Sequence, residues 1–260
     1  PRVLYVVNNP AFFLSHRLPL GLAAKRAGYD VHVATPPGAA SADIRGHGFS
    51  FHELPAMRLR PRADREARVV AALVRLYAHL RPQLVHHVTI KPVLYGGLAA
   101  RMAGVPVVVS AVSGMGYVFL AQGAAAAARR RLIEAAYRAS LAHPRRLVIV
   151  QNTDDRRAVQ RMAGIGDEDI LLLPGSGVNL EAFRPEPELP GDPRVVLPAR
   201  LLRDKGVREF VTAARMLRAQ GSTASFTLAG DVDEGNPASF SRREVQAWTG
   251  EGVVEWWGHC

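Results

Sequence analysis

Cysteine is almost absent from this chain. Cys260, the last of 260 residues, stands alone, which excludes disulfides within the chain and points to a reducing compartment. Aromatic residues make up only 7% of the chain, and no stretch interleaves them with basic residues as an RNA-binding strand does. Cysteines at metal-ligand spacing are missing as well, so neither nucleic acid nor a structural metal is an expected partner. Long apolar runs are lacking: residues 105–112 are among the longest, far short of the roughly 20 needed to span a bilayer. No secretory signal is visible. Lysine is confined to Lys25, Lys91 and Lys205, so the formal charge of +10 is carried by arginine, and part of that excess is expected to be compositional.

What is present is apolar content of 48% arranged in short runs that alternate with helical spacing, the pattern of βα units stacked around a parallel sheet. Strands are expected at residues 3–7, 31–34, 50–53, 84–86, 105–110, 147–150 and 170–173. Helices are expected near 13–27, 65–80, 92–103, 124–141 and 154–163. These make a first domain over residues 1–183. The segment 184–193, RPEPELPGDP, can hold neither a helix nor a central strand and reads as a linker. Residues 194–260 begin a second βα run, with strands at 194–199, 225–228 and 253–256, a helix at 207–218 and another after Pro237. The fold class is therefore α/β, with two Rossmann-like doubly wound domains, the second incomplete. The chain opens on Pro1 directly into a strand and stops just after one, so it reads as a piece of a longer protein.

Residues 197–207, LPARLLRDKGV, place two cations at the end of a strand. Val207, Phe210, Val211, Ala214 and Leu217 fall on one helical face, so Lys205 and Gly206 close a turn that leads into a helix N-terminus. Unpaired backbone N–H groups there favour an anion, and Arg200 and Lys205 add two full charges suited to a diphosphate. The plainer alternative is an ordinary basic turn between strand and helix.

ARLLRDKGVREF at residues 199–210 resembles the Arg-x4-Lys-Gly element of the family 4 retaining glycosyltransferases, and LPGSGVNLEAF at 173–183 resembles a segment they carry at the end of their first domain. FFLSHRLPL (12–20), HHVTIKPVLYGGLAAR (86–101), AVSGMGYVF (111–119), QNTDDR (151–156) and GDVDEGNPAS (230–239) are similar to blocks in bacterial enzymes that extend lipid-linked sugars. The resemblance covers essentially the whole chain and implies the two-domain GT-B fold. It also implies that Arg200 and Lys205 are catalytic, neutralising the diphosphate as it leaves without a metal or other cofactor. A Glu-x7-Glu pair that the family places later would fall beyond Cys260.

Other candidates come from the loops of the first domain. His16 lies near a helix start and reads either as a substrate contact or as part of a polar helix face. Thr89 and Lys91 follow the strand at 84–86, on the side where ligands bind in such sheets, although a loop lysine is also commonly solvated. Gly114, Gly116 and Tyr117 follow the strand at 105–110 and would bring backbone N–H groups to a sugar or diphosphate. Gly206 joins them as part of the turn. Adjacent His86 and His87 point to opposite faces of a strand, so core packing is expected for one of them. Asp231 and Asp233 form an Asp-x-Asp that could hold a metal, yet Asn236-Pro237 just beyond it reads as a helix cap and first-turn proline, so no metal site is expected.

Together these readings predict a hexosyltransferase that moves a hexose or N-acetylhexosamine, with retention, from a UDP-sugar to a lipid-linked or other glycan acceptor. It would work in the cytoplasm, peripherally at the inner face of the plasma membrane. Arg58, Arg60, Arg62, Arg65, Arg68 and Arg129 to Arg131 are the candidate contacts with anionic headgroups. The alternatives are a GT-B sugar-nucleotide epimerase and a non-catalytic basic module that docks on membranes.

Overall fold

The computed structural model describes residues 1–57, 63–112, 124–188 and 190–260. The chain divides into two compact units, Pro1–Asn179 and Leu180–Cys260.

The first unit is built on a seven-stranded parallel sheet: β1 (Arg2–Val7), β2 (Asp30–Thr35), β3 (Ser50–Glu53), β4 (Leu84–Val88), β5 (Val107–Val112), β6 (Arg146–Val150) and β7 (Ile170–Leu172). Their order is β3-β2-β1-β4-β5-β6-β7. Five of the six residues of β1 are buried, because a parallel strand returned by helical crossovers is covered on both faces. The winding reverses between β1 and β4, which opens a crevice at their carboxyl ends.

One face of the sheet is covered by α1 (Pro10–His16), α2 (Leu18–Arg26) and α3 (Ser41–Gly46), with Tyr5, Phe13, Ile44 and Phe49 in the core between. The other face carries α4 (Ala63–Leu80), α5 (Ile90–Met102), α6 (Ala124–Leu141) and α7 (Thr153–Ala163). There Leu73 and Tyr77 fill one core, and Tyr137 and Val159 a second. Gly96 and Gly97 let α5 lie close to its neighbours, since a Cβ would run into the His87 ring at Gly96 and into the Ser140 carbonyl at Gly97. Among the described residues no helix is long and apolar enough to cross a membrane.

Several boundaries differ from those expected. The single helix at 13–27 is two helices, broken at Arg17 (φ −130°), because Pro19 in the first turn of α2 lacks an N–H and its ring opposes the carbonyl four residues back. The helix Ser41–Gly46 was not foreseen. β5 starts at Val107, two residues later than expected, just past Pro106, which has no N–H to give to a ladder.

The second unit has a three-stranded parallel sheet, β8 (Arg194–Pro198), β9 (Ser225–Ala229) and β10 (Glu255–Gly258), in the order β10-β9-β8. Two helices, α8 (Val207–Ala219) and α9 (Arg242–Gly250), pack on it through Val207, Val211, Ala214 and Val245 against Phe226 and Leu228. The strand expected at 253–256 lies two residues further on, because Val253 and Val254 are spent filling this core before pairing begins. The helix expected after Pro237 starts only at Arg242. Its cap is Ser241, which forms a capping box with Glu244, whereas Asn236 closes a turn by accepting from the Ala238 N–H at 3.0 Å.

His86 and His87 are both buried, one on each face of β4: His87 packs in the core, while His86 also lines a cavity. His87 Nε2 lies 3.0 Å from the Tyr77 hydroxyl, and His86 sits against the Tyr5 ring at 5.4 Å. Burial pushes each imidazole from its ordinary 6.5 to about 3, with the Arg17 charge adding to the effect on His86. Above pH 6.5 the rings are neutral whether the chain is folded or not. As pH falls from 6.5 toward 3, the unfolded chain takes up protons that the folded chain refuses, so stability falls. Urea denaturation between pH 7 and 4 should show this loss, and His87→Gln should reduce the slope by up to one proton. An unchanged slope would mean that the folded state admits the charge.

Candidate active site

In the second unit the turn after β8 is laced to the turn after β9. Leu201 donates its N–H to Asp231 O at 3.1 Å and Arg203 donates to Ala238 O at 2.9 Å, while Gly230 lies so close to the Ala199 carbonyl that no Cβ would fit. Leu201 and Leu202 are buried and anchor the turn. A short 3-10 turn, Arg203–Lys205, then leads to Gly206, whose φ of +71° is the left-handed conformation that glycine adopts without strain. Gly206 is the N-cap of α8 and offers no side chain, so the first-turn N–H groups of that helix are uncapped by the protein and face the turn.

The cations of this turn are not equivalent. Arg203 is held by Glu244 at 3.5 Å and lies over the Phe240 ring at 4.8 Å. Lys205 is exposed and has no ion-pair partner among the described residues. Arg200 is 65% exposed, and among the described residues its guanidinium pairs with Asp233 alone, Nη1 lying 3.3 Å from Oδ2. The structure thus brings Arg200, Lys205 and Gly206 to one turn at a helix N-terminus, an arrangement that can receive a diphosphate. Asp231 and Asp233 each face an arginine: Asp231 pairs with Arg242 at 3.4 Å, and the Asp233 backbone N–H is fixed by Ser239 Oγ at 2.9 Å. Among the described residues no cluster of histidine, cysteine, aspartate and glutamate could hold a metal ion.

The first unit collects other candidates near the carboxyl ends of its strands. Asn9 caps α1 through the Ala11 N–H at 2.8 Å. His16 is exposed, stacks on Phe12 at 4.1 Å and shares a hydrogen bond with Ser15 Oγ at 2.7 Å. Thr89 is the N-cap of α5 with φ +75°, rare and strained for a β-branched residue, and its hydroxyl is buried without a partner. Lys91 is tied to Glu66 of α4 at 2.9 Å, with both side chains mostly buried, and Tyr95 hydrogen-bonds the same carboxylate. That pairing joins α4 to α5. Gly114, Gly116 and Tyr117 lie outside the described residues, as do Arg58, Arg60 and Arg62. Arg68 pairs with Asp64 at 3.0 Å, Arg65 is half-buried, and Arg131 is exposed on α6, where the side chains of Arg129 and Arg130 are not described.

A cavity of about 390 Å³ opens beside α2, lined by Arg17, Leu20, His86, Ala111, Ile149 and Gln151 together with His16 at its rim. Arg17 and Gln151, which line this cavity, were not among the residues singled out in the sequence; the signal for Arg17 was a cation between the apolar residues of FFLSHRLPL.

Residues 2–152 match the family described as glycosyl transferase 4-like. The chain is 27% identical over 252 residues to the N,N'-diacetylbacillosaminyl-diphospho-undecaprenol alpha-1,3-N-acetylgalactosaminyltransferase of Campylobacter jejuni, covering 88% of this chain and 65% of that protein. It therefore spans about two thirds of that relative's length. Among solved structures, sucrose-phosphate synthase of Thermosynechococcus elongatus is similar with a TM-score of 0.72 at 21% identity, over 100% of this chain and 70% of that one. HepE of Anabaena in complex with UDP-glucose is similar with a TM-score of 0.67 at 15% identity, over 100% and 69% respectively. Likeness at these identities shows the fold, which is the GT-B fold expected from the sequence.

The Arg200–Asp233 pair yields a direct expectation. Asp233→Asn frees the guanidinium and should tighten binding of inorganic pyrophosphate at low salt by up to about fivefold, the worth of one exposed ion pair. Calorimetric titration checks it; weaker binding would mean that Asp233 orients Arg200 rather than competing for it.

Proposed function

Because the chain belongs to the glycosyl transferase 4-like family, we propose that it forms part of a retaining glycosyltransferase that moves a hexose or N-acetylhexosamine from a UDP-sugar to a lipid-linked acceptor in glycan synthesis. The observation that carries this reading is the turn at Arg200–Val207, where two exposed cations stand at an uncapped helix N-terminus. Arg200 offers a planar fork to phosphate oxygens and Lys205 a compact point charge. As the sugar departs, negative charge grows on the diphosphate, and donors already in place stabilise it without reorganisation. This electrostatic route uses cations and a helix start in place of a metal.

Support for a lipid-linked acceptor is the named activity of the Campylobacter jejuni relative; support for a UDP-sugar is the nucleotide sugar bound by HepE. On this reading the protein works peripherally at the cytoplasmic face of the plasma membrane, held by exposed arginines on an anionic surface, with no role for nucleic acid; the lipid-linked substrate of the Campylobacter jejuni relative supports it.

The test is transfer of labelled sugar from UDP-sugars to a polyprenyl-diphosphate-linked acceptor by the protein that contains this chain. Arg200→Ala and Lys205→Ala should each lower kcat by about two to four kcal/mol of transition-state stabilisation. Lys205→Arg should not restore the rate. Isomerisation of the donor without transfer would identify an epimerase instead, and wild-type rates in both alanine variants would remove the turn from the chemistry. Activity should persist in excess chelator; an absolute need for manganese or magnesium would return the Asp-x-Asp to consideration.

A further inference from the structure

The cavity beside α2 has a composition that the donor turn does not explain. Arg17 is its cation. The guanidinium is about half-buried, its hydrogen bond runs to the His16 carbonyl at 2.9 Å, and it has no carboxylate partner among the described residues. No aspartate or glutamate lines the cavity among those residues. Burial alone costs an unpaired cation, so a cation kept there without a counter-charge is poised to gain from a bound anion.

Two further groups point the same way. α2, nine residues long, starts at the cavity and opens without a side-chain cap, so, although Pro19 gives no N–H, the N–H groups of Leu18 and Leu20 and the positive end of its dipole can meet an anion. His86 lines the same cavity at 5% exposure, and its Nε2 is buried with no hydrogen-bond partner. An orphaned polar atom in a buried ring that lines a cavity calls for a partner that the protein does not supply, and the cavity is where one would enter. With its ionisation pushed down to about 3 by burial and by the neighbouring Arg17 charge, the ring is neutral at physiological pH and can donate from Nε2. Pro19, Leu20 and Ala23 on one side and Ala111, Ile149 and Leu173 on the other give the rest of the lining an apolar character.

We propose that this cavity binds the diphosphate of the lipid-linked acceptor, with Arg17, the start of α2 and His86 holding the phosphate oxygens and Leu20, Pro19 and Ala23 meeting the first apolar carbons beyond them. This rests on the acceptor class given under the proposed function. The ligand chemistry is a phosphate joined to hydrocarbon; a nucleotide diphosphate is the competing source of the same oxygens.

The experiment titrates the 260-residue chain with farnesyl diphosphate, UDP and farnesol, in the wild type and in the Arg17→Gln, Arg17→Lys and Lys205→Ala variants. Thermal unfolding of each variant is followed in parallel. Farnesyl diphosphate should bind where farnesol does not. Arg17→Gln should weaken that binding about tenfold or more, with Arg17→Lys recovering part of it and UDP affinity unchanged. Lys205→Ala should weaken UDP and spare farnesyl diphosphate. No binding of farnesyl diphosphate at millimolar concentration, equal affinity in Arg17→Gln, or loss of UDP rather than farnesyl diphosphate in that variant would each overturn the proposal. If sugar transfer is observed and Arg17→Gln leaves the acceptor KM unchanged, this inference falls while the functional reading stands. If no transfer occurs yet farnesyl diphosphate binds through Arg17, the reverse holds.

Discussion

A parallel strand cannot turn straight back to its neighbour, so every strand of this protein is returned by a crossover, and helices come to lie on both faces of the larger sheet. That constraint governs the rest. Where helices seal the faces, side chains such as the fully buried Val6, Val85 and Val148 are committed to packing, whereas His86 of β4 and Ile149 of β6 line the cavity beside α2. Chemistry is left to the carboxyl ends of the strands and the helix starts that follow them. The turn after β8, Thr89 after β4 and Arg17 before α2 all occupy such places, whatever ligand each receives.

The alternation of apolar runs and helical spacing was legible because burial imposes period on the sequence, and the strand centres of β1, β2, β3 and β6 were placed by it. The turn at Arg200–Val207 was legible for a different reason: only glycine suits the left-handed backbone at Gly206, and charges placed on either side of it have few structural uses. Boundaries were harder. Pro19 could have announced the break at Arg17, but the apolar spacing continues smoothly across it. Val253 and Val254 have strand-like character and instead fill the core, a choice made by tertiary packing that local propensity cannot register.

Partnerships between distant residues were not legible at all. Lys91 stood out as a rare lysine in a loop, yet its ammonium meets Glu66, which lies 25 positions earlier on another helix. Core packing was expected for one of His86 and His87, and which one is a purely spatial matter. His87 finds the Tyr77 hydroxyl, while the Nε2 of His86 finds nothing in the protein. The same holds for charge. Much of the arginine excess is spent on internal pairs such as Arg146 with Asp169 at 2.7 Å and the two-nitrogen grip of Arg215 on Glu251, so net charge says little about where an anion binds.

What marks an anion site here is a cation without such a partner next to a helix start without a cap. Arg17 and Lys205 share that description, so the two places cannot be told apart by charge, and selectivity must come from their surroundings. Lys205 is exposed, and Arg200 beside it is 65% exposed and loosely engaged with Asp233, so the turn at α8 is open to solvent. Arg17 is half-buried in a mostly apolar cavity whose polar lining includes His86, kept neutral by its own burial, and Gln151. A hydrophilic diphosphate gains at the first and would leave its polar substituents unsatisfied at the second. A diphosphate carrying hydrocarbon gains at the second by removing apolar surface from water. On the proposed assignments the same backbone device would serve two phosphate chemistries, with desolvation around the cation deciding between them.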